Sequence, residues 1–296
     1  SDFKALAGGD CPPCLAYFHE NQLTYPLAPG EELDYQFGFT DITTALAADM
    51  IRFNSHTHCR AFLDGLPAFL NMMPDYRPKW AIETIRGKTD VLHPGCRFPA
   101  EAEPPDAGHP SGPPLIVWNH RWEFDKNPEA FFDAIDALAA RQVDFRLALL
   151  GETCQTVPQV FLRARERYGA RILQYGYVPS RSAYVDWLKR GTIVVSTAQQ
   201  ENFGLSVVEA VRYGCLPLLP ARLAYPEVIP ERFHGDVLYR DQEGLIAGLQ
   251  RFATRPAAYA GLRDALSEAM GRYAWSNVIV RYDQVLERLA AGPHRP

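Results

Sequence analysis

No apolar run in this chain approaches the ~20 residues that a membrane-crossing helix needs, and no basic-then-apolar leader opens it. Cysteine is sparse and scattered, at Cys11, Cys14, Cys59, Cys96, Cys154 and Cys215. Without a secretory signal this usage points to reduced thiols and a cytoplasmic location. An excess of positive charge is also missing. The formal net charge is −5, which argues against a large RNA footprint, since nucleic-acid binders tend to be basic. No internal repeat or long low-complexity tract is present. Metal-ligand spacing is wanting too: His56-Thr57-His58-Cys59 falls on an expected helix, where neighbours face different ways, and no second cluster completes four ligands. No metal is therefore expected. Cys11-Pro12-Pro13-Cys14 has thioredoxin-type spacing, but it precedes a strand rather than opening a helix, which argues against redox activity.

What is present is a chain of 296 residues, 47% hydrophobic, enough for one large or two ordinary domains. Six prolines between Phe98 and Pro114 forbid a helix or interior strand there, so 99–114 reads as a linker. Before it, strands are expected at Cys14–Phe18, Met50–Asn54 and Asp90–His93, with helices at Tyr35–Ala48 and Ser55–Met72. After it, strands at Leu115–Trp118, Phe145–Leu150, Arg171–Tyr175, Thr192–Ser196 and Leu216–Leu219 alternate with helices at Pro128–Arg141, Val157–Tyr168, Ser182–Lys189 and Leu205–Tyr213. Such alternation predicts an α/β fold with parallel sheets. The domains expected are 1–98, a partial Rossmann-like domain, and 115–274, a second one. A helix from Trp275 to Leu289, within the segment 275–296, should cross back to the first. Three strands before the linker are few for a doubly wound domain, so an N-terminal portion of it is expected to be missing.

The chemistry concentrates in Glu201-Asn202-Phe203-Gly204-Leu205-Ser206-Val207-Val208-Glu209. Two carboxylates bracket a glycine-containing turn between a strand and a helix. Free N–H groups and a helix N-terminus at that point suit an anion, and ionised carboxylates accept paired hydroxyls. A nucleotide sugar offers both. The plainer alternative is a capped surface helix with two solvated acids. Arg121 and Lys126, on the loop leaving the first strand after the linker, suit a diphosphate. Arg77, Lys79, Arg86 and Lys88, opposed only by Glu83, form a basic cluster that is either phosphate-facing or a solvated face. Trp80, Trp118, Trp187 and Trp275 read as packing residues, whereas Trp122, inside the Arg121–Lys126 loop, is a candidate ligand contact.

Taken together these motifs resemble the retaining glycosyltransferases of the GT-B type, two Rossmann-like domains facing a cleft, with the E-x7-E motif. The resemblance makes Arg121 and Lys126 the diphosphate clamp, Glu201 the acid on the donor-sugar hydroxyls and Glu209 the acid on the ribose. Tyr175-Gly176-Tyr177-Val178-Pro179 resembles the loop flanking the base, giving Tyr177 and Val178 to the nucleotide, while Asn202, Phe203, Gly204 and Leu205 line the donor. A narrower likeness lies in Tyr17-Phe18-His19-Glu20-Asn21-Gln22-Leu23-Thr24-Tyr25-Pro26, in Asp34–Phe39, Phe53-Asn54-Ser55, Pro74–Lys79, His120–Glu123, Leu150–Thr153 and Ser196-Thr197-Ala198. These stretches are similar to the tRNA-queuosine α-mannosyltransferases. That family implies transfer of mannose from GDP-mannose to queuosine in a tRNA anticodon, without cofactor or metal. It places His19 near the anomeric centre as a catalytic residue, at the acceptor side. Glu20 and Asn21 either bind acceptor hydroxyls or cap the following turn, and Arg77 and Lys79 are further acceptor-side candidates. The leaving diphosphate would be met by Arg121, Lys126 and the N–H groups of Phe203, Gly204 and Leu205. The family's first strand and its glycine-rich loop have no counterpart here. Two alternatives stay open: a related transferase with another donor or a small acceptor, or a non-catalytic nucleotide-sugar or RNA-binding remnant.

Overall fold

The computed structural model describes residues 2–8, 11–28, 30, 32–98, 112–152 and 157–292. Most of the expected linker, with Thr153 and Cys154, lies outside the described residues. Two units are distinguished, Ser1–Gly95 with Trp275–Pro296, and Cys96–Ala274.

In the first unit, α1 (Asp2–Ala7), β1 (Leu15–Phe18), α2 (Tyr35–Ala47), β2 (Met50–Phe53), α3 (His56–Asn71), α4 (Trp80–Arg86) and β3 (Thr89–Val91) follow one another. The strands form a parallel sheet in the order β1-β2-β3, with Leu15 opposite Met50 and Ile51 opposite Thr89. Ser55 starts α3 by accepting a hydrogen bond from the His58 N–H at 3.0 Å, the satisfied orphan donor that makes serine a favoured cap. One face of α3 then buries Phe62, Leu66 and Leu70 against Phe18, Ile51 and Phe53. The basic cluster does not act together. Lys88 Nζ donates to the carbonyls of Leu46 and Ala48 at 2.7 and 2.6 Å, closing the C-terminal end of α2, where a cation meets the negative end of the helix. Arg86 pairs with Glu83 at 2.8 Å. Arg77 and Lys79 remain exposed. Trp80, expected to pack, is 57% exposed.

The second unit holds β4 (Leu115–Trp118), α5 (Pro128–Ala140), β5 (Arg146–Leu149), α6 (Gln159–Tyr168), β6 (Ile172–Tyr175), α7 (Arg181–Arg190), β7 (Ile193–Val195), α8 (Leu205–Arg212), β8 (Leu216–Pro220), α9 (Tyr225–Val228), α10 (His234–Val237), β9 (Leu238–Tyr239), α11 (Gln242–Thr254) and α12 (Ala260–Met270). Its sheet runs β6-β5-β4-β7-β8-β9, all parallel. Counted within the unit this is 3-2-1-4-5-6, the doubly wound order. Every residue of β4 and β7 is buried, as expected of central strands covered on both faces. Asn127 caps α5 by accepting from the Ala130 N–H, and Pro128 occupies the first turn, where its missing N–H costs nothing.

The last helix, α13 (Trp275–Ala291), belongs with the first unit. Tyr282 lies beside Tyr17, with ring centroids 6.2 Å apart. The Trp275 ring closes over Gly95 so tightly that a Cβ there would meet its Cε3 at 2.2 Å.

Candidate functional site

In a doubly wound sheet the loops at the carboxyl ends of the strands part where the strand order reverses, and ligands bind there. In the second unit that point lies between β4 and β7. The loop after β4 carries Arg121 and Lys126; the loop after β7 leads to Glu201 and Gly204. The two are fastened to each other. Thr197 Oγ1 donates to the carbonyls of Lys126 and Asn127 at 2.9 and 2.8 Å, and the Gln199 N–H donates to the Asp125 carbonyl at 2.7 Å. Lys126 Nζ donates to the Gln200 carbonyl at 2.7 Å. Beneath them, Tyr225 OH and Ser196 Oγ hydrogen-bond at 2.6 Å, and Tyr239 OH donates to the Ser196 carbonyl at 2.8 Å.

Lys126 is buried, with Nζ 3.0 Å from Asp125 Oδ2 and 3.7 Å from Glu201 Oε2. Arg121 is exposed, its Nη2 3.2 Å from Glu123 Oε2. Gly204 precedes α8 at φ 92°, a left-handed conformation that a side chain resists; a Cβ there would also come within 3.1 Å of the Tyr225 ring. The Phe203 N–H, expected to face the diphosphate, instead donates to Glu201 Oε1 at 3.3 Å, and the Phe203 side chain is buried edge-on against Tyr273. Asn202 accepts from Gln200 within the turn at 3.1 Å. The N–H groups of Gly204 and Leu205 find no hydrogen-bond partner among the described residues.

A cavity of about 360 Å³ within this unit is lined by Arg121, Glu152, Tyr177, Val178, Arg181 and Glu209, among others. It gathers Arg121, the two base-loop residues and the second acid, while Lys126 and Glu201 face each other on the adjoining loops. A larger cavity of about 790 Å³ beside β9 and α11 contains none of the candidate residues.

Two side chains of the expected site are held by packing or turn bonds, and a third residue outside it ties two helices together. Trp122 is not a ligand contact: it is 4% exposed and stacks on Phe161 with centroids 4.0 Å apart. Asn21 is buried, and its Oδ1 accepts from Thr24 N and Thr24 Oγ1, both at 3.1 Å. It closes the turn after β1, the second of the two roles open to it from the sequence. Asn119, which carried no expectation, ties α7 to α8 by donating to Tyr184 OH at 3.1 Å and to the Ser206 carbonyl at 2.7 Å. His19 and Glu20 are exposed at the end of β1. The His19 carbonyl accepts from Asn54 Nδ2 at 2.9 Å, and its ring lies 4.8 Å from Tyr17.

Two buried histidines set an acid limit. Burial, with the nearby His19 adding to it, pushes His58 down to about 4. Burial, with the Lys126 charge adding to it, pushes His120 to about 3. In the unfolded chain both take up a proton near pH 6.5, but in the folded one they do not. The unfolded state therefore binds more protons below pH 6.5, and stability falls as pH drops from there toward 4, while above pH 6.5 it is fully retained. For His58 alone the loss is about 3 kcal/mol. Thermal melts should show the midpoint falling through that window. His58→Gln keeps an N–H for Asn54 Oδ1 and should flatten the fall; an unchanged pH slope in that variant would exclude the assignment.

Comparison with known proteins follows the division seen in the chain. Residues 1–96 match the family described as tRNA-queuosine alpha-mannosyltransferase N-terminal, and residues 99–272 match glycosyl transferases group 1. The tRNA-queuosine alpha-mannosyltransferase of Drosophila melanogaster is 36% identical over 283 residues, covering 93% of this chain and 74% of that protein. The chain belongs to this family. The GDP-mannose:cellobiosyl-diphosphopolyprenol alpha-mannosyltransferase of Xanthomonas campestris is 23% identical over 56% of the chain and 45% of its own length. Among solved structures, sucrose-phosphate synthase from Thermosynechococcus elongatus gives a TM-score of 0.72 at 18% identity, covering 94% of this chain and 68% of that one. A trehalose-6-phosphate synthase gives 0.65 at 16% identity, over 92% and 68%. These likenesses establish the fold, that of GT-B glycosyltransferases, and the family membership establishes a glycosyltransferase.

Proposed function

We propose that this chain transfers mannose, with retention at the anomeric carbon, from GDP-mannose to the cyclopentenediol of queuosine in a tRNA anticodon. The observation that carries the reading is the 36% identity to the Drosophila melanogaster enzyme over 93% of the chain. The fastening of the Arg121–Lys126 loop to the Glu201 loop at the switch point supports a donor site there.

In this reading Tyr177 and Val178 flank the base, Glu209 accepts the ribose hydroxyls and Glu201 accepts those of the mannose. As the C1–O bond to the diphosphate breaks, negative charge grows on the leaving oxygen. Arg121, Lys126 and the N–H groups of Gly204 and Leu205 meet it, preorganised charge being the strongest lever on such a step. These groups supply the positive counterpart that a diphosphate needs, so no metal or cofactor is assigned. The acceptor hydroxyl attacks C1 from the face that GDP leaves, and its proton passes to the departing phosphate oxygen. No enzyme nucleophile is required. His19, Glu20, Arg77 and Lys79 of the first unit are assigned to the acceptor side. No described helix is long and apolar enough to cross a membrane, and cytoplasmic tRNA is the proposed substrate pool.

The test has two arms. A panel of GDP-, UDP- and ADP-sugars is screened by thermal shift, where GDP-mannose should raise the midpoint most. Labelled GDP-mannose is then incubated with tRNA that carries queuosine and with the same tRNA carrying unmodified guanosine. Label should enter only the first. Equal labelling of both, or none with either, would reject the acceptor assignment, and a stronger shift with a UDP- or ADP-sugar would reject the donor.

A further inference from the structure

Arg181 entered none of the expectations drawn from the sequence, yet it makes the closest contact to the second acid. It is the first residue of α7, and its Nη2 donates to Glu209 Oε1 across to α8. That hydrogen bond holds the guanidinium above its ordinary pKa. The other carboxylate oxygen, Oε2, has no hydrogen-bond partner among the described residues. Both side chains line the 360 Å³ cavity with Tyr177 and Val178. The spacing of the two helices is fixed from below, because the Asn119 amide donates to Tyr184 on α7 and to Ser206 on α8. The Arg181 guanidinium also sits 5.4 Å above the Tyr184 ring centroid, a cation over an aromatic face.

A glutamate on a helix surface samples several rotamers, and a ligand that needs one of them loses affinity to the ordering. Anchoring one oxygen removes that freedom and leaves the second to accept from a diol. We infer that Arg181 is a positioning residue: it presents the Glu209 carboxylate to the ribose hydroxyls of the donor nucleotide. The inference rests on the reading of Glu209 as the ribose-binding acid and goes beyond it. Arg181 itself is 52% exposed along its side chain, so screening keeps the pair's share in stability small and Arg181→Ala should fold.

The experiment measures dissociation constants by calorimetry for GDP and for 2′,3′-dideoxy-GDP. The proteins compared are the wild type, Glu209→Ala, Arg181→Ala, Arg181→Lys and the double variant Arg181→Ala/Glu209→Ala. The wild type should prefer GDP by about ten-fold, one charge-assisted hydrogen bond's worth. Glu209→Ala should erase that preference, and Arg181→Ala should erase most of it while leaving the dideoxy nucleotide's affinity unchanged. Arg181→Lys should recover part, and the double variant should be no weaker than Glu209→Ala alone, the non-additivity of groups acting as a unit. Retained ribose preference in Arg181→Ala overturns the inference. So does tighter GDP binding, which would make the arginine a competitor for Glu209, or an equal loss for both nucleotides, which would put it on the phosphates or base. A wild type indifferent to the ribose hydroxyls overturns the assignment of Glu209, and the inference with it. If wild type and Glu209→Ala behave as expected while Arg181→Ala matches wild type, the inference alone fails.

Discussion

Replacing Lys126 by methionine should lower kcat/KM for the donor by about 10²–10³-fold, the loss seen when one preorganised charge-stabilising group is removed. Arg121→Ala should act in the same direction, raising the donor KM and lowering kcat. The two variants should nevertheless part company in stability. The Arg121 side chain is 51% exposed, so solvent screens its pair with the part-buried Glu123 and its loss should leave denaturant melts nearly unchanged. Lys126 faces Asp125, whose side chain is 1% exposed and whose carboxylate finds no hydrogen-bond donor among the described residues. Removing the ammonium strands that charge in the core, at a cost of about 3–5 kcal/mol. A second substitution separates the two effects. In Asp125→Asn/Lys126→Met neither charge remains, so the melt should recover much of its midpoint while kcat/KM stays low. Kinetics restored together with stability would mean that Lys126 serves the fold and not the diphosphate. Wild-type kinetics in both single variants would remove the clamp assignment altogether.

How much of this arrangement could be read from the sequence depends on whether the deciding partner is near in the chain. The expected β4 and the observed one share both ends, Leu115 and Trp118, because a four-residue apolar run bounded by proline and polar residues has few other readings. The turn at Gly204 was legible for the same reason: its chemistry is local. β9 went unseen, as two residues leave no period to detect. The roles that were missed belong to side chains whose partners are far away in sequence. Trp122 sits among charged residues and looks solvent-facing until Phe161 on α6 covers it. Lys88 looks like a free cation until the end of α2 supplies two carbonyls. Asn119 and Arg181 gain meaning only once β4, α7 and α8 lie side by side. Spacing announced the chemistry of the site, then, while the struts that hold it were set by packing.

Gly151→Ala tests those struts most directly. Gly151 follows β5, and a Cβ on it would stand 2.1 Å from Trp122 Cδ1, 2.2 Å from its Nε1 and 2.3 Å from the His120 carbonyl oxygen. The indole has nowhere to retreat. It is stacked flat on Phe161 at 4.0 Å, meets Tyr175 edge-on at 4.8 Å, and its backbone N–H donates to the Glu152 carbonyl at 2.9 Å. Adding a methyl to a packed interior costs about 1–3 kcal/mol. Because a backbone carbonyl is among the obstacles, the upper end of that range is expected here. The loop from His120 to Lys126 must shift to admit the methyl, and Arg121 moves with it. A misplacement of about 1 Å at a binding group can cost about 10²-fold in rate, so transfer should fall by that order even at temperatures where the variant is folded. Adding Trp122→Phe keeps a ring Cδ1 close to the new methyl and leaves the carbonyl contact untouched, so little stability should return. A Gly151→Ala protein that melts and turns over like the wild type would show that the loop after β5 does not press on Trp122, and the rigid seat inferred for Arg121 would go with it.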